Sequence, residues 1–152
     1  MENYIDVVNK LKKEGKKIVF TNGCFDIIHA GHVDYLQKAK SLGDFLIVGL
    51  NSDESIRRLK GDGRPVNPQE QRKRVLEALK PVDMVIIFEE DTPERLIKEI
   101  KPDVLVKGGD WKIENIVGAD FVMSYGGKVY TIDFAYDTST TKIIQKVKNG
   151  TC

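Results

Sequence analysis

Thr21-Asn22-Gly23-Cys24-Phe25-Asp26-Ile27-Ile28-His29-Ala30-Gly31-His32 joins two different periodicities. The apolar run Lys17-Ile18-Val19-Phe20 leads into it and predicts a strand over Lys17 to Thr21. Beyond it Val33, Leu36, Ala39 and Leu42 recur at helical spacing as far as Gly43. The stretch therefore reads as a strand, a small-residue turn and the start of a helix. A helix start leaves backbone N–H groups without partners at the positive end of the helix dipole, and such a place attracts phosphate.

Outward from this turn the pattern repeats. Residues 2–14 predict an amphipathic lead-in helix with Tyr4, Ile5, Val8 and Leu11 on one face and Gly15 as its stop. Phe45-Leu46-Ile47-Val48-Gly49-Leu50, Met84-Val85-Ile86-Ile87-Phe88, Val104-Leu105-Val106-Lys107 and Lys128-Val129-Tyr130-Thr131-Ile132 predict four more strands. The continuous apolar character of the first of these, Phe45 to Leu50, belongs to a strand buried on both faces. Between them lie a short helix capped at Asn51-Ser52-Asp53 and ending at Arg57, a loop over 59–68, and a helix opened by Pro68 with Val75, Leu76 and Leu79 as its face. A helix starts at Asp91-Thr92-Pro93-Glu94, another covers Ile116 to Tyr125, and a C-terminal helix covers 139–148. Strands alternating with helices at this spacing predict a single α/β domain with one doubly wound parallel sheet. In such a sheet the first turn, the 59–68 loop, Lys107 to Asp110 and Ser139 to Thr141 all follow strands, on the carboxyl edge where ligands bind.

Composition narrows the partners. With 152 residues and 41% apolar content the chain can bury a core unaided. Its 24 Lys and Arg against 23 Asp and Glu give a net charge of +1, which favours neither nucleic acid nor a membrane surface. The two cysteines, Cys24 and Cys152, form no zinc or disulfide pattern; together with the lack of a secretory leader or a long apolar segment they predict a cytoplasmic protein.

Several residues on the carboxyl edge suit phosphate chemistry, each with a plainer alternative. His29 and His32 read as capping residues, as two of the four ligands of a zinc site whose others are not evident, or as donors to phosphoryl oxygens. Lys60 and Arg64 read as solvated loop charge or as phosphate ligands held by the surrounding Gly61, Gly63 and Pro65. Arg72, among Gln71, Lys73 and Arg74, reads on spacing alone as a solvated-face residue. Gly108-Gly109 is a tight turn or a point of close backbone approach, with Lys107 facing the crevice. Ser139-Thr140-Thr141 caps a helix, which is compatible with binding a polyphosphate. Neither a Walker A sequence nor G-x-G-x-x-G nor G-x-S-x-G is present.

The run Phe25 to His32, with its His29-Ala30-Gly31-His32, resembles the signature of the H-x-G-H nucleotidyltransferases, and Ser139-Thr140-Thr141 resembles their second phosphate motif. From about Lys16 to Val147 the chain is similar to the adenylyltransferase domain of the bifunctional heptose-phosphate kinases/adenylyltransferases. The similarity runs through Val48 to Asp53, Arg58 to Gly61, Arg64 to Asn67, Val106 to Asp110 and Ile116 to Ala119. The resemblance implies a Rossmann-like nucleotidyltransferase fold and transfer of AMP from ATP to a sugar 1-phosphate, D-glycero-D-manno-heptose 1-phosphate, releasing pyrophosphate. It further implies Mg2+ on the triphosphate rather than on side chains, a homodimer, and a separate sugar kinase. His29, His32 and Lys60 take catalytic roles. Thr21, Asn22, Gly23, Cys24, Phe25, Gly31, Lys107, Gly109, Asp110, Ser139, Thr140 and Thr141 bind nucleotide, and Asp26, Lys60, Arg64 and Arg72 bind the sugar phosphate. Two other readings stand beside it, a cytidylyltransferase for glycerol 3-phosphate or a related acceptor and a non-catalytic nucleotide sensor. The R-T-E-G run of the glycerol-3-phosphate enzymes is missing here. The glycine that relatives carry before the serine-threonine element is replaced within Phe134-Ala135-Tyr136-Asp137-Thr138-Ser139, where Asp137 tolerates a left-handed turn.

Overall fold

All five strands are parallel and run in the spatial order β3-β2-β1-β4-β5, so the chain winds outward from β1 first to one side and then to the other. The computed structural model describes residues 3–134 and 139–150. Its elements are α1 (Tyr4–Lys13), β1 (Ile18–Gly23), α2 (Ala30–Lys40), β2 (Phe45–Asn51), α3 (Asp53–Lys60), α4 (Gln69–Glu77), β3 (Met84–Phe88), α5 (Glu94–Ile100), β4 (Val104–Gly108), a 3-10 turn at Ile113–Asn115, α6 (Ala119–Ser124), β5 (Lys128–Ile132) and α7 (Thr140–Lys148).

Both faces of the sheet are dry. Along β1, Ile18 and Phe20 point into a layer with Val8 of α1, Leu96 and Ile97 of α5 and Val122 of α6. Val19, between them, points the other way against Leu36 and Ala39 of α2 and Leu76 of α4. The period-2 alternation of strands sends apolar side chains to both layers, which is why these segments read as unbroken apolar runs. Each fully buried Ile, Leu or Val contributes roughly 1.5–3 kcal/mol of transfer free energy. The central strand, flanked by β2 and β4, brings its carboxyl end to the point where the winding reverses, and there the sheet opens a crevice.

Beyond shifts of a residue or two at several element ends, four boundaries differ from the sequence reading in a way that matters. β1 runs on to Gly23, because Asn22 and Gly23 still pair with Gly49 and Leu50 of β2. α3 runs to Lys60 rather than Arg57: the Ser52 hydroxyl caps it by accepting from the Ser55 N–H, and Gly61, at φ 95°, ends it. Lys60 is thus the last residue of a helix and not a loop residue. Pro68 is the N-cap of α4, with extended backbone, rather than its first residue. The helix expected over Ile116 to Tyr125 begins only at Ala119, because Gly118 takes a left-handed conformation, φ 86°, and a Cβ there would stand 2.8 Å from Ile97. The turn expected at Asp137 lies outside the described residues.

Candidate active site

At the end of β1 the two histidines cap α2 reciprocally. His29 is the N-cap, and its Nδ1 accepts the Gly31 N–H at 3.1 Å, while Nδ1 of His32 accepts the His29 N–H at 3.3 Å. The rings stack with centroids 3.8 Å apart. With both Nδ1 atoms accepting, each neutral ring carries its proton on Nε2, so the pair has two N–H donors to offer a ligand. Burial lowers the pKa of His29, and burial followed by the neighbouring His29 brings His32 down to about 4. Both rings are neutral donors at physiological pH. Beside them Phe25 holds a positive φ of 45° and lays its ring 5.2 Å from that of His32.

These imidazoles wall a cavity of about 400 Å³ together with Lys60, Arg64 and Ser139 to Thr141. Its two halves are tied directly, since the Thr140 hydroxyl donates to the Ile27 carbonyl at 3.1 Å. The Ser139 hydroxyl accepts the Lys142 N–H and starts α7. Two cations, two neutral N–H donors and a hydroxyl-rich helix start around one space have the chemistry that suits a polyanion. Burial raises the pKa of the Cys24 thiol against the pull of Lys60, Arg72 and Arg64, so it is not a thiolate nucleophile.

Asp26 and Arg72 correct the sequence reading. The Asp26 carboxylate is fully buried and spends its oxygens inside the protein, one on Arg64 Nε at 3.1 Å and the Val66 N–H, the other on the Asn67 N–H. Arg72 is 1% exposed, not solvated. Its guanidinium donates to the carbonyls of Asn67, Cys24 and Asn51 and to the Asp53 carboxylate, at 2.8–2.9 Å. Neither side chain is left to grip a sugar phosphate. Together they clamp the 61–67 segment, which carries Arg64, against the β1 turn.

Two further cavities share Gly23 and Cys24 with the first. One, of about 200 Å³, lies among Asn22, Phe25, His32, Tyr35, Lys107, Gly108 and Phe134. At Gly108 a Cβ would stand 2.8 Å from the Phe134 ring and 3.2 Å from that of Tyr35, so only glycine leaves this aromatic space open. The other, of about 280 Å³, lies on the far side of Cys24 among Asn22, Asn51, Leu59, Thr92, Lys107, Trp111 and Asn115. Of the residues assigned to nucleotide by resemblance, Asn22, Gly23, Cys24, Phe25 and Lys107 wall these spaces. Thr21 does not: it is buried one step behind, its hydroxyl shared with Tyr35 and the Val106 carbonyl. Gly31 spends its N–H on the cap. Gly109 gives its N–H to the Ile132 carbonyl, and Asp110 is exposed; from this loop Gly108 and Trp111 line the cavities instead. Tyr35, Phe134, Asn51 and Thr92 were missed. Their only signal in the sequence is position just past a strand or on the helix after the first turn.

Among the described residues no cluster of three or more His, Cys, Asp or Glu has the geometry of a metal site. The donors of the large cavity are cations, N–H groups and hydroxyls, which suit an anion. A divalent ion fits here only as part of a metal–polyphosphate ligand, on its phosphate oxygens and water.

A parallel sheet of this order, with a two-histidine helix cap facing a hydroxyl-rich helix start, defines an α/β nucleotidyltransferase. The chain belongs to the cytidylyltransferase-like family, whose model matches residues 20–146. It is 59% identical over 145 residues to the bifunctional protein HldE of Cronobacter sakazakii, covering 95% of this chain and 30% of that protein. To the bifunctional protein HldE of Alcanivorax borkumensis it is 57% identical over 141 residues, covering 93% of this chain and 30% of that protein. The chain thus spans about a third of the length of these curated relatives. A lipopolysaccharide core biosynthesis protein of Thermoplasma volcanium has a solved structure that superposes with a TM-score of 0.64 at 30% identity, over 81% of this chain and 100% of the other. No helix among the described residues is long and apolar enough to cross a membrane.

Proposed function

We propose that this chain is a sugar-phosphate adenylyltransferase that takes ATP, as its magnesium salt, and a heptose 1-phosphate, and yields ADP-heptose and pyrophosphate. The observation that carries this reading is the single cavity in which His29 and His32 share walls with Lys60, Arg64 and the α7 start. The family membership and the high identity to HldE proteins support it.

A phosphate oxygen of the sugar 1-phosphate attacks the α-phosphorus of ATP in line. A new P–O bond forms, the bond from the α-phosphorus to the β-bridging oxygen breaks, and its electron pair leaves with pyrophosphate. No group of the protein is adenylylated on the way. Catalysis is positioning and charge stabilisation. His29 and His32 donate from Nε2 to phosphoryl oxygens as charge moves toward the leaving group, Lys60 lies between the nucleotide and acceptor phosphates, and Thr140 and Thr141 with the α7 N-terminus hold the terminal phosphates. The space between Tyr35, Gly108 and Phe134 suits a flat base.

The test is pyrophosphate release from Mg·ATP and D-glycero-D-manno-heptose 1-phosphate, run beside CTP and a panel of phosphate esters. Turnover of another ester or of CTP with inactivity toward this pair overturns the substrate. Nucleotide binding with no pyrophosphate from any acceptor makes the chain a sensor.

A further inference from the structure

The cavity beyond Cys24 differs in chemistry from the other two. Its polar walls are largely neutral, the amides of Asn22 and Asn115 and the hydroxyl of Thr92, with the buried Asn51 amide already donating to the Ser55 hydroxyl, and Trp111 stands at its side. Its carboxylate, Asp91, already pairs with Arg58 at 2.8 Å. Amides beside an aromatic face suit a polyol ring, whose hydroxyls need neutral partners and whose C–H face packs on a π-surface. Trp111 remains 48% exposed. Its indole is covered from one direction by the Lys107 ammonium, 5.0 Å from the ring centroid. Lys107 also walls the aromatic cavity, so it stands at the junction of the two spaces, beside Gly23 and Cys24.

We propose that Trp111 and Lys107 form the acceptor-recognition pair: the indole is the platform for the sugar ring, and Lys107 leaves the indole face to hold the acceptor's phosphate. The inference rests on the sugar-phosphate reading above. One indole face cannot carry both an ammonium and a sugar. An ammonium over a ring is also the weaker contact than an ammonium on a phosphate. Arrival of the acceptor phosphate thus clears the platform for the sugar attached to it, and a free sugar without phosphate finds that platform occupied.

Trp111 is the single tryptophan of the chain, so its emission reports on this cavity. Titration of the full chain with D-glycero-D-manno-heptose 1-phosphate, with and without Mg·α,β-methylene-ATP, is expected to shift the emission to the blue and saturate. The ATP analogue alone leaves it in place. In steady-state assays Trp111→Ala raises the KM for the sugar phosphate by about tenfold, equivalent to ~1.4 kcal/mol, with the KM for ATP little changed and Trp111→Phe recovering most of the loss. Lys107→Met, which also alters a wall of the aromatic cavity, raises the sugar-phosphate KM by a larger factor than the KM for ATP. Emission that follows the ATP analogue and ignores the sugar phosphate puts Trp111 on the nucleotide and overturns the inference; so does an unchanged sugar-phosphate KM in Trp111→Ala. In either of those cases the unsubstituted enzyme still turns over the sugar phosphate. If it releases no pyrophosphate with any sugar phosphate, the underlying functional reading has failed and the pair falls with it.

Discussion

Replacing His29 separates its two tasks. In the folded chain its Nδ1 accepts the Gly31 N–H as a helix cap, which leaves Nε2 free of that bond, and the ring lines the 400 Å³ cavity. His29→Ala removes both. Loss of an N-cap acceptor costs about 1 kcal/mol, which in a domain of this size lowers the melting temperature by roughly 2–4 °C. His29→Asn restores an acceptor at the N-cap, because asparagine is among the preferred residues there, and is expected to melt within about 1 °C of the unsubstituted protein. It offers no N–H where Nε2 stood. One preorganised donor to a developing oxyanion is worth about 10²–10³ in kcat, or ~3–4 kcal/mol. Both variants therefore lose turnover to the same extent, while only His29→Ala loses stability. The assay is pyrophosphate release under saturating substrates, with thermal melts on the same preparations. A His29→Asn enzyme within a few fold of the unsubstituted rate would refute the donor role and leave His29 a cap. Rates that follow melting temperature across the two variants would do the same.

Arg72→Met strands three carbonyls and the Asp53 carboxylate in a buried site; breaking such a hub costs about 3–5 kcal/mol, and a drop in melting temperature of roughly 10 °C is expected, against which a drop of only a degree or two counts. Because burial holds His32 near 4 in the folded chain against 6.5 unfolded, the unfolded chain binds the extra proton between those values. This part of the stability is complete above pH 6.5 and is lost as pH falls toward 4, by at most about 3 kcal/mol. His32→Asn should flatten that acid slope in melts at graded pH, and an unchanged slope refutes the assignment. Gly108→Ala puts a methyl group against Phe134 and Tyr35; the expected result is a raised KM for ATP with kcat and melting temperature little altered, and an unchanged KM would remove the base from that cavity.

What the sequence revealed follows from how local each feature is. The strands were legible because burial on both faces leaves no polar position to break the apolar run, as in Leu46 to Leu50. The 400 Å³ cavity was legible because its parts lie at fixed local signals: a strand end, a helix start with hydroxyls, and Lys60 just before Gly61. Arg72 was not. In Gln69 to Glu77 the inward face is Arg72 with Leu76, while Val75 is 45% exposed, so the apolar pattern pointed about one residue away from the true face. A guanidinium is buried here only because carbonyls at Cys24, Asn51 and Asn67 and a carboxylate at Asp53 converge on it, and nothing local announces partners that distant. The wall after β4 was displaced for a similar reason. The Gly109 N–H bonds to Ile132 of β5, which turns the chain so that Trp111, not Gly109 or Asp110, meets the cavity.

The reciprocal cap also explains which form of the histidines the site uses. An imidazolium carries protons on both nitrogens, and a proton on Nδ1 of His29 or His32 would face the very N–H group that the ring now accepts from. Protonation would therefore break the cap as well as place charge in a partly buried site, in keeping with the lowered pKa of both rings. On the proposed function, the positive charge that balances a triphosphate would then come from Lys60, Arg64 and the N-terminal ends of α2 and α7. The histidines supply direction instead. Their stacked rings fix two Nε2–H groups in relation to the helix axis, and the same hydrogen bonds that start α2 hold them there without any ligand.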